Sequence, residues 1–206
     1  MSRAREVSLA GKAIHPNQHV CAFFSSKEEE YRVLMPFIKE GFERGERAFH
    51  VVDPDHRATH LKRLGDAGIP VEEAERRGQL EVLRWQEAYL RDGHFEQERM
   101  IALIQEVLRR GKSEGFPLTR LVANMEWALE DRPGVDDIVE YESRLNYVLP
   151  QYDDVVVCTY DLAKFDATVV MDIMRTHPMV IIGGILQENP FYAPPDEFIK
   201  ELHERQ

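Results

Sequence analysis

Cysteine is scarce in this chain. Only Cys21 and Cys158 occur in 206 residues, which excludes a disulfide-stapled scaffold and a four-cysteine zinc site. Positive charge is also in deficit: 26 Lys and Arg stand against 37 Asp and Glu, a net charge of −11. That balance argues against a nucleic-acid backbone or an anionic membrane surface as the main partner, since both require clustered Lys and Arg. Long apolar runs are missing as well. The longest, Met179 to Leu186, is far too short to span a bilayer, and no charged-then-apolar leader opens the chain. What remains is an ordinary globular composition, 43% hydrophobic and 31% charged, in a chain long enough to bury a full core as one domain. A reducing cytoplasm is the expected setting.

The first fourteen residues, MSRAREVSLAGKAI, are polar and mixed and read as a loose tail. Residues 15–206 read as a single domain. From His19 onward, short β-prone apolar runs alternate with stretches of helical spacing. HVCAFFSS is a strand, and KEEEYRVLMPFIKEGFERG a helix closed by Gly45. RAFHVVD is a second strand, HRATHLKRLGDAG a helix stopped by Gly65 or Gly68, and QLEVLRW a third strand. FEQERMIALIQEVLRRG is a strong amphipathic helix. LTRLVANMEWAL reads as a fourth strand running into Met125, Glu126 and Trp127. VDDIVEYESRLNYVLPQY is a helix, DDVVVCTYD a fifth strand, LAKFDATVVMDIMRTH a helix stopped by Pro178, and MVIIGG a sixth strand. The loop LQENPFYAPP and a final helix, DEFIKELHER, complete the chain. Nearly all-apolar strands, each followed by a helix, imply a three-layer α/β fold with a mostly parallel sheet and helices on both faces. Ligands of such sheets sit beyond the carboxyl ends of the strands, so the residues just after each apolar run are the ones to weigh.

A nucleotide would need free amides in a glycine-rich turn at a helix N-terminus. The turn after the first strand, Ser25-Ser26-Lys27-Glu28-Glu29-Glu30, has no glycine and places three carboxylates where a phosphate would lie. Gly111-Lys112-Ser113 imitates the end of a P-loop, but Glu106 stands where the first glycine belongs and the triplet follows a helix. It reads as a helix C-cap. Neither a GxGxxG fingerprint nor a Gly-x-Ser-x-Gly elbow is present, so a hydrolase nucleophile lacks support.

Several strand-end residues suit a small-molecule pocket, and each has a structural alternative. Glu126 beside Trp127 could hold a metal, polarise a ligand or act as a base, or be a partly exposed acid next to a packing ring. Tyr160 offers an apolar face and a hydroxyl, and Asp161 a carboxylate; the alternative is a core-capping ring followed by a helix N-cap. His177 titrates near neutrality, yet its place at a helix end suits bonding to the last carbonyls. Tyr141 and Glu142, adjacent on a helix, cannot both face one pocket, so Tyr141 reads as packed and Glu142 as a possible ion-pair partner. His15 with His19, and His56 with His60, are spaced i, i+4. Only the second pair is on a helix, and no further ligand completes it, so a solvated face is preferred and no metal is assigned. Cys21 and Cys158 read as buried, inert thiols. The rigid aromatic loop with Asn189 and Tyr192 either lids a pocket or straps the core.

Taken in order, many short pieces carry a resemblance. They are His19-Val20-Cys21, Gly41-Phe42-Glu43-Arg44-Gly45-Glu46, Gly78-Gln79-Leu80, Glu87-Ala88-Tyr89-Leu90 with Gly93 and Phe95, and Met125-Glu126-Trp127. Tyr141-Glu142, Cys158-Thr159-Tyr160-Asp161, Thr176-His177-Pro178 and Asn189-Pro190-Phe191-Tyr192 follow. From about His19 to Phe198 the chain resembles the MEDS sensory domain (methanogen/methylotroph, DcmR sensory domain). The resemblance implies a fold similar to the RecA/KaiC-like ATPases without their Walker A loop. It also implies sensing of small molecules, hydrocarbon derivatives among them, in bacterial and archaeal regulation. Members occur alone or joined to DNA-binding or kinase-type modules; neither is visible here, so output is expected through a separate regulatory protein.

The expectation is therefore a non-enzymatic sensor binding a small, largely apolar molecule. Its ligand-contacting candidates are Phe24, Ser26, Trp85, Tyr89, Glu126, Trp127, Tyr160, Asp161, His177, Asn189 and Tyr192. A homodimer is compatible with such a role. No cofactor motif occurs, and haem ligation by a histidine stays open. Two rivals remain: a nucleotide-binding protein or enzyme using Glu126 and Asp161 with Mg²⁺ and Lys27 or Arg32 for phosphates, and a ligand-free interaction module.

Overall fold

The computed structural model describes residues 6–205. It opens on a hairpin, β1 (Val7–Leu9) with β2 (Lys12–Ile14), in the segment whose composition suggested a loose tail. The polarity of that segment hides an alternation: Val7 and Leu9 point inward and are fully buried. The Ser8 amide donates to Glu40 and the Arg44 guanidinium to the Glu6 carbonyl, which docks the hairpin on the first helix.

The remaining strands are β3 (Gln18–Phe24), β4 (Arg47–Val52), β5 (Leu80–Arg84), β6 (Thr119–Asn124), β7 (Val155–Asp161), β8 (Met179–Ile182) and β9 (Ile185–Glu188). They form one sheet in the order β5-β4-β6-β7-β3-β8-β9. Every pairing is parallel except β8 with β9. The three-layer, mostly parallel architecture expected from the alternating pattern is thus observed. β9 is the unexpected strand. Gly183 and Gly184 both take positive φ and turn the chain back into a hairpin, where a loop was expected after the sixth strand. The fourth strand stops at Asn124, and Glu126–Leu129 form a short 3₁₀ turn instead of extending it.

Helices α1 (Lys27–Glu43), α2 (Arg57–Asp66) and α3 (Val71–Arg76) cover one face; α4 (Gln97–Ser113), α5 (Ile138–Val148) and α6 (Ala167–Thr176) cover the other. The last helix, α7 (Pro195–Arg205), lies against α5 and α6. Strand alternation assigns the two cores: Val20, Ala22 and Phe24 of β3 join Leu34, Phe37 and Ile38 of α1, whereas Cys21 and Phe23 join the core under α4 to α6. Gly111 is not a cap. It sits inside α4 because a Cβ there would lie 2.5 Å from Thr119 Oγ1, so its hydrogen is what lets α4 approach β6.

Central strands buried on both faces leave polar side chains no route to water, and β6 carries Arg120 at 1% exposure. Its Nε donates to Glu46 Oε2 at 2.6 Å, one Nη donates to Glu40 at 2.9 Å, and the other to the Phe37 carbonyl. The guanidinium lies 4.6 Å from the Phe37 ring centre, and Gly41 makes room for it. Arg120→Met should lower the unfolding free energy by about 3–5 kcal/mol, because the Glu46 carboxylate would stay buried without its guanidinium. The double variant Arg120→Met/Glu46→Leu should recover most of that loss; urea unfolding midpoints of the three proteins check this.

Candidate functional site

Beyond the carboxyl ends of β4 and β6 lies a cavity of about 240 Å³, walled by the first turn of α1, the start of α2 and the sheet. Val51, Val52 and Val122 supply apolar wall, and Lys27, Tyr31, His50, His60 and Asn124 supply polar groups. The sheet side follows from alternation: His50 stands on the same face as Ala48 and Val52, toward α1 and α2. His60 on α2 reaches back to it, and the two rings meet edge to face with Nδ1 of His50 and Nε2 of His60 at 2.8 Å. Tyr31 Oη completes the chain at 2.8 Å from His60 Nδ1.

Burial, reinforced by the neighbouring His60, holds His50 well below the ordinary histidine value; burial, Lys27 and Arg57 bring His60 to about 4. Burial and the nearby Glu30 push Tyr31 up to about 12. All three are therefore neutral at pH 7, and a Tyr31–His60–His50 chain of single hydrogen bonds results. However its protons are oriented, the chain ends on Nε2 of His50, a fully buried atom with no protein partner. Asn124 donates from its amide to Glu126, and its carbonyl oxygen is likewise buried without a partner.

Glu126 lies outside the lining but bonds two of the lining residues, Lys27 and Asn124. It is 3% exposed, yet Lys27 Nζ at 2.9 Å, Lys164 Nζ and Asn124 all bond its carboxylate. Burial raises its pKa, but these three hydrogen bonds outweigh burial and bring it down to about 2. Both oxygens are thus held by ammonium groups. Asp161 is separate: it bonds the Ala163 amide at 2.9 Å, while Asp166 is the residue that caps α6. At the start of α1, the Ser26 hydroxyl accepts from the Glu29 amide at 3.2 Å, and Glu29 in turn accepts from the Ser25 amide at 2.8 Å. Glu28 pairs with Arg63 and Glu30 with Lys27. The helix terminus therefore supplies its own anions where a phosphate would otherwise be held.

The aromatic strand-end candidates do not converge on this cavity. Trp127 is fully buried, stacked on Tyr89 with ring centres 4.6 Å apart and 12° between planes, and packed on Phe95 at 4.4 Å. Phe24 lies in the α1-side core. Trp85 is 5% exposed and borders a shallow depression shared with Glu126 and Lys164. Tyr160 donates to Glu142 Oε1 at 2.8 Å, deep under α5. Asn189 braces the α6–β8 junction: its amide donates to the His177 carbonyl at 2.7 Å and its oxygen accepts from the Phe191 amide at 3.1 Å. Tyr192 is half-buried beside that junction. His177 is fully buried, its Nδ1 3.0 Å from the Ile173 carbonyl, which is the helix-end bonding its position suggested.

Spacing places two histidines differently from the structure. His60 does not share a solvated face with His56: it is 6% exposed and bonded to His50, while His56 stays outside on Asp53. His19 has as neighbours not His15 but residues far along the chain. Among the described residues one set of metal-ligating side chains converges, His19, Glu142, Cys158 and His177, all buried. His50 was missed altogether, and the one signal that could have flagged it is a histidine in the middle of the apolar run RAFHVVD.

The strand order and the helices on both faces define a three-layer α/β domain. A KaiC-like protein of the archaeon Pyrococcus horikoshii has this fold, superposing with a TM-score of 0.59 at 17% identity over 81% of this chain and 70% of that one. The family model for MEDS, the methanogen/methylotroph, DcmR sensory domain, matches residues 18–178, and the chain belongs to that family. It is 25% identical over 180 residues to the transcriptional repressor DcmR of Methylorubrum extorquens, covering 86% of this chain and 64% of the repressor. The chain thus spans less than two thirds of the repressor's length, and the family it belongs to is a sensory domain. No helix among the described residues is long and apolar enough to cross a membrane.

Trp127→Ala is expected to cost about 3–5 kcal/mol in chemical denaturation, the price of a cavity in a packed core. Acid sensitivity should separate into two windows. The unfolded chain protonates His60 near 6.5 whereas the folded chain resists until about 4, so stability falls as pH drops between those values. Glu126 contributes stability above its ordinary 4.5 that is lost as pH falls toward about 2. In urea midpoints measured against pH, His60→Gln should flatten the upper window and Glu126→Gln the lower one.

Proposed function

We propose that the chain senses a small, uncharged molecule bound in the cavity between β4, β6, α1 and α2, and that occupancy is read by a separate regulatory protein. The observation that carries this reading is the pair of buried, unpartnered atoms, His50 Nε2 and Asn124 Oδ1, on residues that both line an otherwise largely apolar space. A buried polar atom without a partner costs about 1–3 kcal/mol. A hydroxyl, carbonyl or amide group on a mostly hydrocarbon ligand would relieve that cost while its carbon skeleton covers the valines. A volume of about 240 Å³ is at the small end of ligand cavities and favours a compact molecule over a nucleoside triphosphate. The α1 terminus supports the same choice, since three carboxylates, two of them paired with Arg63 and Lys27, stand where a phosphate would lie.

Ligand binding can alter output only if the ligand prefers one of two states. The cavity spans α1 and α2, so a bound molecule would bias how these two helices lie against the sheet. The rival reading, Mg²⁺-nucleotide binding through Glu126 and Asp161, gains no support from a Glu126 already tied to Lys27 and Lys164.

Thermal-shift and calorimetric screening of the purified chain against small alcohols, aldehydes, amides and halogenated hydrocarbons tests the proposal. A responding compound should lose its effect in Thr59→Trp, which plugs the rim from α2, and bind about tenfold more weakly to Asn124→Leu, the worth of one hydrogen bond. A response undiminished by Thr59→Trp, or micromolar binding of Mg²⁺-ATP, would overturn the assignment.

A further inference from the structure

The face of the sheet opposite that cavity holds a second constellation. His19 of β3, Cys158 of β7, Glu142 of α5 and His177 at the α6–β8 junction present donor atoms within 4.8 Å of one another. His19 Nε2 lies 3.2 Å from Glu142 Oε2, and His177 Nε2 lies 3.3 Å from the same oxygen. Cys158 Sγ lies 3.6 Å from Glu142 Oε2 and 3.8 Å from His19 Nε2. With metal–nitrogen and metal–oxygen bonds of about 2.0–2.1 Å and a metal–sulfur bond of about 2.3 Å, a zinc tetrahedron has edges of about 3.3 Å between N and O donors and about 3.6 Å to sulfur. These four separations follow that pattern.

The hydrogen bonds behind the cluster fix which atoms face inward. Asn146 spends its amide on the carbonyls of Glu142, Ser143 and Thr176, so its oxygen accepts from Nδ1–H of His19 at 3.1 Å. His177 donates from Nδ1 to the Ile173 carbonyl at 3.0 Å and to Thr176 Oγ1, whose own proton goes to Ile173. Both imidazoles therefore turn an Nε2 inward. Tyr160 occupies Glu142 Oε1 and leaves Oε2 for the centre. His177 Nε2 is fully buried and makes no hydrogen bond. Two ring nitrogens and a carboxylate oxygen that all present lone pairs repel one another unless a cation sits among them. In a bare chain only a proton can fill that place.

We propose that His19, Glu142, Cys158 and His177 form a four-ligand zinc site. One thiolate and one carboxylate balance the ion's charge, so the loaded site is neutral and suits a buried position. Four protein ligands leave no open position, as in structural zinc sites, and the Asn146, Ile173 and Tyr160 contacts are the outer partners that such ligands use. The ion would tie β3 and β7 to α5 and to the α6–β8 junction. This site and the cavity share no residue, so either proposal can fail alone.

The test uses the full chain, purified without a histidine tag from zinc-supplemented medium. Elemental analysis should find about one zinc per chain, and refolding with Co²⁺ should give the intense visible bands of tetrahedral cobalt together with a thiolate charge-transfer band. Cys158→Ser should abolish the charge-transfer band, whereas Cys21→Ser should retain it. Should Cys158→Ser not fold, the wild-type metal content and cobalt spectrum still decide. Folded wild-type protein with under about 0.1 zinc per chain and no thiolate–cobalt band overturns the proposal, as does a band that survives Cys158→Ser.

Discussion

A parallel sheet covered on both faces permits no polar side chain in its central strands unless a partner comes to meet it, because neither face offers water. This protein places Arg47, Arg120, His19, His50 and Asn124 on such strands, and the helices are arranged around meeting them. Arg120 is met from α1 and by Glu46. Arg47 is met by Glu81, by the Val107 carbonyl and by the Gly78 carbonyl. Gly41 is small because the Arg120 side chain passes where a Cβ would stand, and Gly111 because the Thr119 hydroxyl does. The requirement to neutralise buried charge thus sets helix positions that hydrophobic packing alone would leave free to slide.

The same requirement shapes the strand ends. In an open α/β sheet the first helix after an apolar strand presents free amides to whatever binds there. Here Ser26 takes the Glu29 amide and Glu29 the Ser25 amide, while the charges of Glu28 and Glu30 are taken up by Arg63 and Lys27. The room that remains beside α2 is bounded by three valines and the rings of Tyr31, His50 and His60, with Lys27 paired to Glu30 and Arg63 to Glu28. Neutrality comes from burial: desolvation keeps His50 and His60 uncharged, which makes their chain a set of directional hydrogen bonds instead of a cationic patch.

The two unusual polar groupings lie back to back. On β3 and β7 the inward residues under α5 carry the His19–Cys158 cluster; across the sheet, His50 and Asn124 border the cavity. Alternation at a period of two lets strands of one sheet serve two separate environments without any residue being shared. An ion on one side and a ligand on the other would both act on helices packed against the same strands.

The apolar runs and the helical spacing of the intervening stretches determined the three-layer parallel architecture, since these periods follow from backbone geometry alone. The ordered motifs determined the family. The turn after β3 carries no glycine, so the sequence offers no phosphate-cradle motif there. What the hairpin at Val7–Leu9 and the edge strand β9 required was context: three- and four-residue strands carry too few alternations to be distinguished from loops. The sites lay further out of reach. His60 is on a helix and His50 on a strand ten residues earlier, and whether they meet depends on how α2 leans on β4. Glu142 and Cys158 come together with His19 across more than a hundred residues. Tertiary packing alone decided that the conspicuous Trp127 and Tyr89 are core, and that histidines distant in the chain converge in buried clusters, because side-chain convergence is a property of the packed layers and leaves no trace in local spacing.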